Sequence, residues 1–228
     1  PQGVTMLRLL HTPELPLAGS LPPAPAVPAP TPPTAVRRPS LGWRLRQRWK
    51  LIRDGSYLVP VLALVARRLG LAVGYGELHG RVLHADGTVT DLGLLGRRVV
   101  TDAGVAYLTA DMAGGASDIN LFKYHGYGTG TTSESAGQTA LVTELTTEYA
   151  TNSTRPTGSQ ASSTNTYTTV GTLTPDSGGT LAITEHGLFS ATSSGTLWDR
   201  TKFAAVNLDS TAGDSLQTTY VATFPSGS

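Results

Sequence analysis

Cysteine is absent from the 228-residue chain, which excludes disulfide staples, thiolate metal sites and a cysteine nucleophile. Charged residues are sparse, 14% of the total, while glycine, serine and threonine abound. That balance suits extended strands and tight turns better than solvated helices. Long apolar runs are missing: the longest, Tyr57 to Ala66, is too short to cross a bilayer and contains Pro60. With no basic-then-apolar leader ahead of a small-residue cleavage site, a soluble, unsecreted protein is expected. HExxH and GxSxG are lacking, as are paired histidines with a third fixed ligand. Glu134, Glu144, Glu148 and Glu185 sit in polar, threonine-rich sequence, where solvated carboxylates are the default. No catalytic residue is assigned, and no cofactor or metal is expected.

The formal net charge of +1 hides a division. Residues 1–100 hold 13 Lys/Arg against 5 Asp/Glu (+8), and residues 101–228 hold 4 against 11 (−7). The two parts are suited to different surroundings. Eleven of the 15 prolines fall in residues 1–39. Their densest run, residues 21–33, fixes φ repeatedly and removes amide donors, which favours extended polyproline II and forbids a core of its own. An extended Pro-rich arm over residues 1–40 is expected, either a spacer or, as the preferred reading, a strap laid across neighbouring subunits.

Nine basic residues lie between Arg37 and Arg68, with Asp54 the one acid in that window. Ser40 is a candidate N-cap. After it Trp43, Leu45, Trp49 and Ile52 interleave with Arg44, Arg46, Arg48, Lys50 and Arg53 at roughly helical spacing. A cationic amphipathic helix suits nucleic acid, a membrane surface or the acidic face of another protein. The last is preferred, so residues 41–76 are read as a basic helical docking segment. Its contacts are Arg37, Arg38, Trp43, Arg44, Arg46, Arg48, Trp49, Lys50 and Arg53. Residues 57–71 add an apolar helix or strand interrupted at Pro60.

Residues 77–99 read as a small β-hairpin region, because two strand-like runs flank Ala85-Asp86-Gly87. Thr101 caps a predicted helix to about Met112, with Val105, Leu108 and Met112 on one face and Gly114-Gly115 ending it. From there candidate strands recur at 119–127, 139–149, 165–174, 180–190, 196–207 and 214–224. In the last, Leu216, Thr218, Tyr220, Ala222 and Phe224 alternate with a threonine-rich set. The fold class is therefore mainly β. Residues 100–228 are expected to form an antiparallel, jelly-roll-like β-sandwich that folds by itself, accompanied by the extended arm and short helices.

Several stretches carry a resemblance: Val100-Thr-Asp-Ala-Gly-Val-Ala-Tyr-Leu108, Lys123-Tyr-His-Gly-Tyr-Gly-Thr-Gly-Thr-Thr132, Thr139-Ala-Leu-Val-Thr-Glu144, Ile183-Thr-Glu-His-Gly-Leu-Phe189, Gly195-Thr-Leu-Trp-Asp-Arg200 and Gly213-Asp-Ser-Leu-Gln217. In order and spacing, residues 100–228 resemble a family of tailed-bacteriophage virion structural proteins. The resemblance implies a β-sandwich part of a particle with no known catalysis, of the capsid-decoration or fibre-like kind.

These motifs also have readings of their own. The GxGxG of Gly126, Gly128 and Gly130 lacks the following helix that a phosphate loop needs, so a bulge or close backbone approach is expected. His125 and His186 each precede glycine, and if their strands are neighbours the rings meet. Glu185 and Asp199 offer oxygens, but two structural histidines near a subunit contact are preferred to a metal site. Tyr124, His125, Tyr127, His186 and Trp198 are the candidate oligomer or ligand contacts.

The leading function is a capsid decoration or cement protein anchored to the shell by its N-terminal arm. The alternative is a tail, spike or fibre protein whose sandwich binds a host glycan. Expected partners are a major capsid protein or other virion proteins and further copies of the chain, a trimer ahead of a dimer. Neither nucleic acid nor membrane is expected as a partner, and the expected location is the particle surface.

Overall fold

A computed structural model of the chain describes residues 35–69, 74–97, 99–115, 118–149 and 154–224. Most of the expected Pro-rich arm, residues 1–34, lies outside the described residues. In chain order the elements are β1 (Val36–Arg37), α1 (Leu41–Arg53), α2 (Val59–Arg68), β2 (Tyr75–Leu83), β3 (Val89–Arg97), β4 (Val99–Val100) and α3 (Asp102–Met112). A single 3-10 turn (Ile119–Leu121) leads into β5 (Tyr124–Gly128), β6 (Ser159–Ser163), β7 (Thr166–Leu173), β8 (Thr180–Phe189), β9 (Leu197–Asp209) and β10 (Ser215–Thr223). The protein is mainly β, with two sheets ordered β1-β3-β2-β10-β7-β6 and β4-β9-β8-β5. Every pairing is antiparallel except β1 with β3.

The alternation read from the last strand is realised as far as Ala222, while Phe224 beyond its end is exposed. Leu216, Thr218, Tyr220 and Ala222 of β10 point inward, and Leu78 and Val82 do the same on β2. They meet Ile183 and Leu188 of β8 and Phe203, Val206 and Leu208 of β9 in one core. Each such side chain, fully buried, contributes roughly 1.5–3 kcal/mol.

The hairpin expected as a separate region at 77–99 is built into the middle of the larger sheet. β2 pairs with β10 over nine residues, from Leu83 opposite Ser215 to Tyr75 opposite Thr223. A chain starting at residue 100 lacks three of the six strands of that sheet, so the boundary drawn there cuts through the core. Asp86 turns the hairpin as foreseen, accepting from the backbone N–H and hydroxyl of Thr88, with Gly87 in the left-handed region at φ 79°.

Two expected strands change character. Residues 139–149 are irregular and form no strand, with isolated bridges from Glu144 to Gly128 and from Tyr149 to Pro175. Residues 119–121 are the 3-10 turn rather than the start of β5. β6 was not foreseen, because Ser-Gln-Ala-Ser-Ser has little strand preference without β7 beside it. On α3 the Thr101 cap holds, its hydroxyl accepting from Gly104 N–H at 2.9 Å, but Val105 and Met112 are exposed. The inward position is Gly104, which lies so close to the Trp198 backbone that a Cβ would overlap it.

α1 belongs to the sandwich. Ser40 caps it, accepting from Trp43 N–H, and Gly55 at φ 67° ends it as Ser56 N–H returns to Leu51 C=O. Its inner face carries Trp43, Gln47, Lys50 and Leu51. Gln47 reaches both sheets at once: its Nε2 donates to Leu95 C=O of β3, and its Oε1 accepts from Ala204 N–H of β9 at 3.0 Å. Trp43 Nε1 donates to Ala204 C=O at 3.3 Å. Strand edges that would otherwise bare unpaired backbone groups are thereby covered.

Gln47→Leu keeps the bulk and removes these partners. It is expected to lower stability by about 1–3 kcal/mol, the cost of leaving buried backbone groups unsatisfied. Urea denaturation of the full chain reads this, and an unchanged midpoint would show that the two edges do not depend on α1.

Candidate functional site

The motif residues converge in the interior. Glu185 of β8 and Arg200 of β9 are both fully buried, with Arg200 Nη2 2.6 Å and Nε 2.7 Å from Glu185 Oε2. The carboxylate also accepts backbone N–H groups from Gly130 at 3.0 Å, Thr143 at 2.8 Å and Val142 at 3.2 Å. The guanidinium donates onward to Gln138 Oε1 and Thr132 C=O, both at 3.1 Å. The segment 129–143 is thus pinned to the sheet by two side chains. At Gly128 and Gly130 a Cβ would run into that carboxylate, so the GxGxG pattern marks close backbone approach, as its sequence context suggested.

His125 and His186 do meet, Nδ1 to Nε2 at 2.9 Å, so one of the facing nitrogens carries the shared hydrogen. His125 also reaches the hydroxyls of Thr169 at 3.1 Å and Thr218 at 3.2 Å, and Tyr127 OH is 2.8 Å from Thr218 Oγ1. All three rings are fully buried. The surface contact expected of His125, Tyr127 and His186 is therefore overturned. β8 is covered on both faces from Glu185 to Phe189, by the pinned segment on one side and by β7 and β10 on the other. Trp198 is also internal, its Nε1 donating to Tyr220 OH at 2.8 Å. Tyr124 is half-buried, with Lys123 Nζ 5.9 Å above its ring.

A second ion pair lies nearby. Arg155 donates to Glu144 at 2.5 and 2.8 Å and lies 3.4 Å over the Phe189 ring. Beside it Tyr149 OH donates to Tyr127 C=O at 3.2 Å. Burial pushes the Tyr149 hydroxyl far above its ordinary value, with the Glu144 charge adding to the shift. The chemically capable groups on these strands thus hold one another.

The outward chemistry lies on α1 and α2. Leu41, Leu45, Trp49 and Ile52 recur at intervals of four, four and three, forming one stripe opposite the inner face. All four are exposed, Trp49 by 70%. Arg44, Arg46, Arg48 and Arg53 are exposed on the same helix and flank the stripe on both sides. α2 starts with Pro60 in its first turn, where no amide donor is missed. It buries Ala63 and turns Val61, Leu62, Leu64 and Val65 outward, with Leu58 and Leu69 at its ends also exposed. Of the 17 large apolar side chains exposed among the described residues, 11 lie between Leu41 and Leu69. Exposed apolar surface is concentrated in this way at interaction sites, which makes this face the candidate site.

Of the expected docking residues, Arg44, Arg46, Arg48, Trp49 and Arg53 belong to this face. Arg37 and Arg38 are exposed on the approach to it, Arg37 paired with Asp86 at 3.0 Å. Trp43 and Lys50 do not belong, because they sit on the opposite face. Lys50 Nζ lies 2.6 Å from Asp54 and 3.5 Å from Glu134. Partial burial opposes ionisation of Asp54, but Lys50 and then Arg53 outweigh it and hold the carboxyl below its usual range. Sequence reasoning grouped Trp43 with Leu45, Trp49 and Ile52. The four-residue spacing from Leu41 was the better guide to the outer stripe.

Arg200→Met would leave the buried Glu185 carboxyl without its counter-ion. A loss of about 3–5 kcal/mol is expected, read as a lowered denaturation midpoint, while a loss below about 1 kcal/mol would remove the pair from its structural role. Compared with known proteins, the chain matches no family model, no curated protein and no solved structure.

Proposed function

We propose that this chain is a non-enzymatic structural subunit of a tailed-bacteriophage particle, a decoration or cement protein whose sandwich is held to another virion protein by the outer faces of α1 and α2. One observation carries the reading: an apolar stripe of Leu41, Leu45, Trp49 and Ile52, flanked by four exposed arginines, stands on a helix whose other face is fixed to the sandwich. A rigidly mounted anchor of this composition suits an apolar groove rimmed by carboxylates, the aromatic and arginine side chains supplying most of the binding energy. The inward commitment of Glu185, Arg200, Glu144, Arg155 and the two histidines favours a structural role over catalysis. The glycan-binding alternative loses support, because two of its three candidate aromatics, Tyr127 and Trp198, are internal and the third, Tyr124, is half-buried.

Leu45→Glu with Trp49→Glu tests the anchor without touching the sandwich, since both side chains point to solvent. Binding of the full chain to particles purified without it is expected to fall at least about 100-fold, two anchor residues at about 2 kcal/mol each, with unchanged circular dichroism. Undiminished binding would overturn the proposal. So would loss of affinity for anionic lipid vesicles rather than particles, which would put a membrane where the proposal has a protein.

A further inference from the structure

We infer that β6 is a self-association edge, through which two copies of this chain pair antiparallel about a two-fold axis at Ala161. Among the described residues the other strand edges are covered or, at β1 and β4, two residues long, whereas this one is open. β1 is two residues long and bordered by Arg38 and Pro39. The edges of β3 and β9 receive Gln47, and Lys202 N–H of β9 donates to Glu134. β5 is flanked by bridges to Glu144 and Thr157, with His125 N–H donating to Pro156 C=O. β6 ends the six-stranded sheet, pairs on one side with β7, and is exposed at all five residues.

Natural edges are guarded by lysine, proline, bulges or covering segments. Ser159-Gln-Ala-Ser-Ser163 has no charge and no proline, and its pairing to β7 runs without a register shift. It is also held firmly in place, Gln160 Nε2 donating to Asn120 C=O at 2.8 Å and Tyr167 OH at 2.9 Å.

A second copy is the occupant that this composition fits. Antiparallel pairing of all five residues with themselves places Ala161 on the axis, Ser159 opposite Ser163 and Gln160 opposite Ser162. Small uncharged side chains meet and no like charges do. The α1 face behaves oppositely, because its flanking arginines would repel those of another copy.

Five residues of edge alone fall short of the roughly 800 Å² per partner of a stable interface. The remainder is available next to it: Gln160 and Tyr167 help line an apolar cavity of about 310 Å³ whose lining includes the exposed Ile119 and Phe224. Covering that cavity adds hydrophobic area to the strand hydrogen bonds. The dimer is consequently weak in free solution and favoured where a particle crowds copies together. An isologous edge closes at two copies, so two-fold pairing replaces the expected trimer.

Mass measured by sedimentation of the full chain is expected to rise from 23.8 kDa toward twice that value as concentration rises. In Ser159→Lys/Ser163→Lys, lysines face each other at two places, and the dimer dissociation constant should increase at least about tenfold. In Ser159→Lys/Ser163→Glu, each lysine faces a glutamate of the other copy, and dimerisation should persist at low salt. A monomeric mass at every concentration, equal dimerisation of both variants or a three-copy mass would each overturn the inference. Particle attachment is read separately, through the α1 variants, so the two proposals stand or fall independently.

Discussion

The ion pair of Glu185 and Arg200 is the constraint on which much of the interior depends. Two charges taken fully out of water are tolerated only when every remaining lone pair and N–H finds a partner. Here the partners come from an otherwise irregular segment: three backbone amides for the carboxylate, a carbonyl and an amide side chain for the guanidinium. The requirement reaches back into sequence. Glycine stands at 128 and 130 because a side chain there would exclude the carboxylate from the backbone it must bond. The segment 139–149 forms no strand because Val142 and Thr143 give their amides to Glu185 instead of to a ladder.

α1 shows a second inversion of the usual pattern. A surface helix ordinarily buries its apolar stripe and exposes its polar face. This one buries Gln47 and Lys50 together with Trp43 and Leu51, because what it must cover are strand edges with backbone hydrogen-bonding needs rather than an oily surface. Its apolar stripe is left exposed. The same helix closes the sheets with one face and, in the proposed role, would anchor the protein with the other.

Strands β7 to β10 were legible because their alternation and turn residues agree with the sheet that forms, and the caps at Ser40 and Thr101 were legible because capping is local chemistry. What escaped the sequence is non-local. Nothing in residues 77–83 announces that β2 lies beside β10, roughly 140 positions later. Likewise, Glu185 in polar, threonine-rich sequence looked solvated until Arg200 was found beside it. The histidines were correctly paired and wrongly placed, since period-two alternation assumes one wet face and β8 has none over Glu185–Phe189.

Amide hydrogen exchange at Gly130, Val142 and Thr143 tests most directly whether the buried pair makes this segment part of the core. If Glu185 and Arg200 bind it as described, these three amides exchange only through global unfolding, with the same free energy as amides of central strand β10. Exchange at the rates of an open loop, while β10 stays protected, would contradict the central role given to the pair.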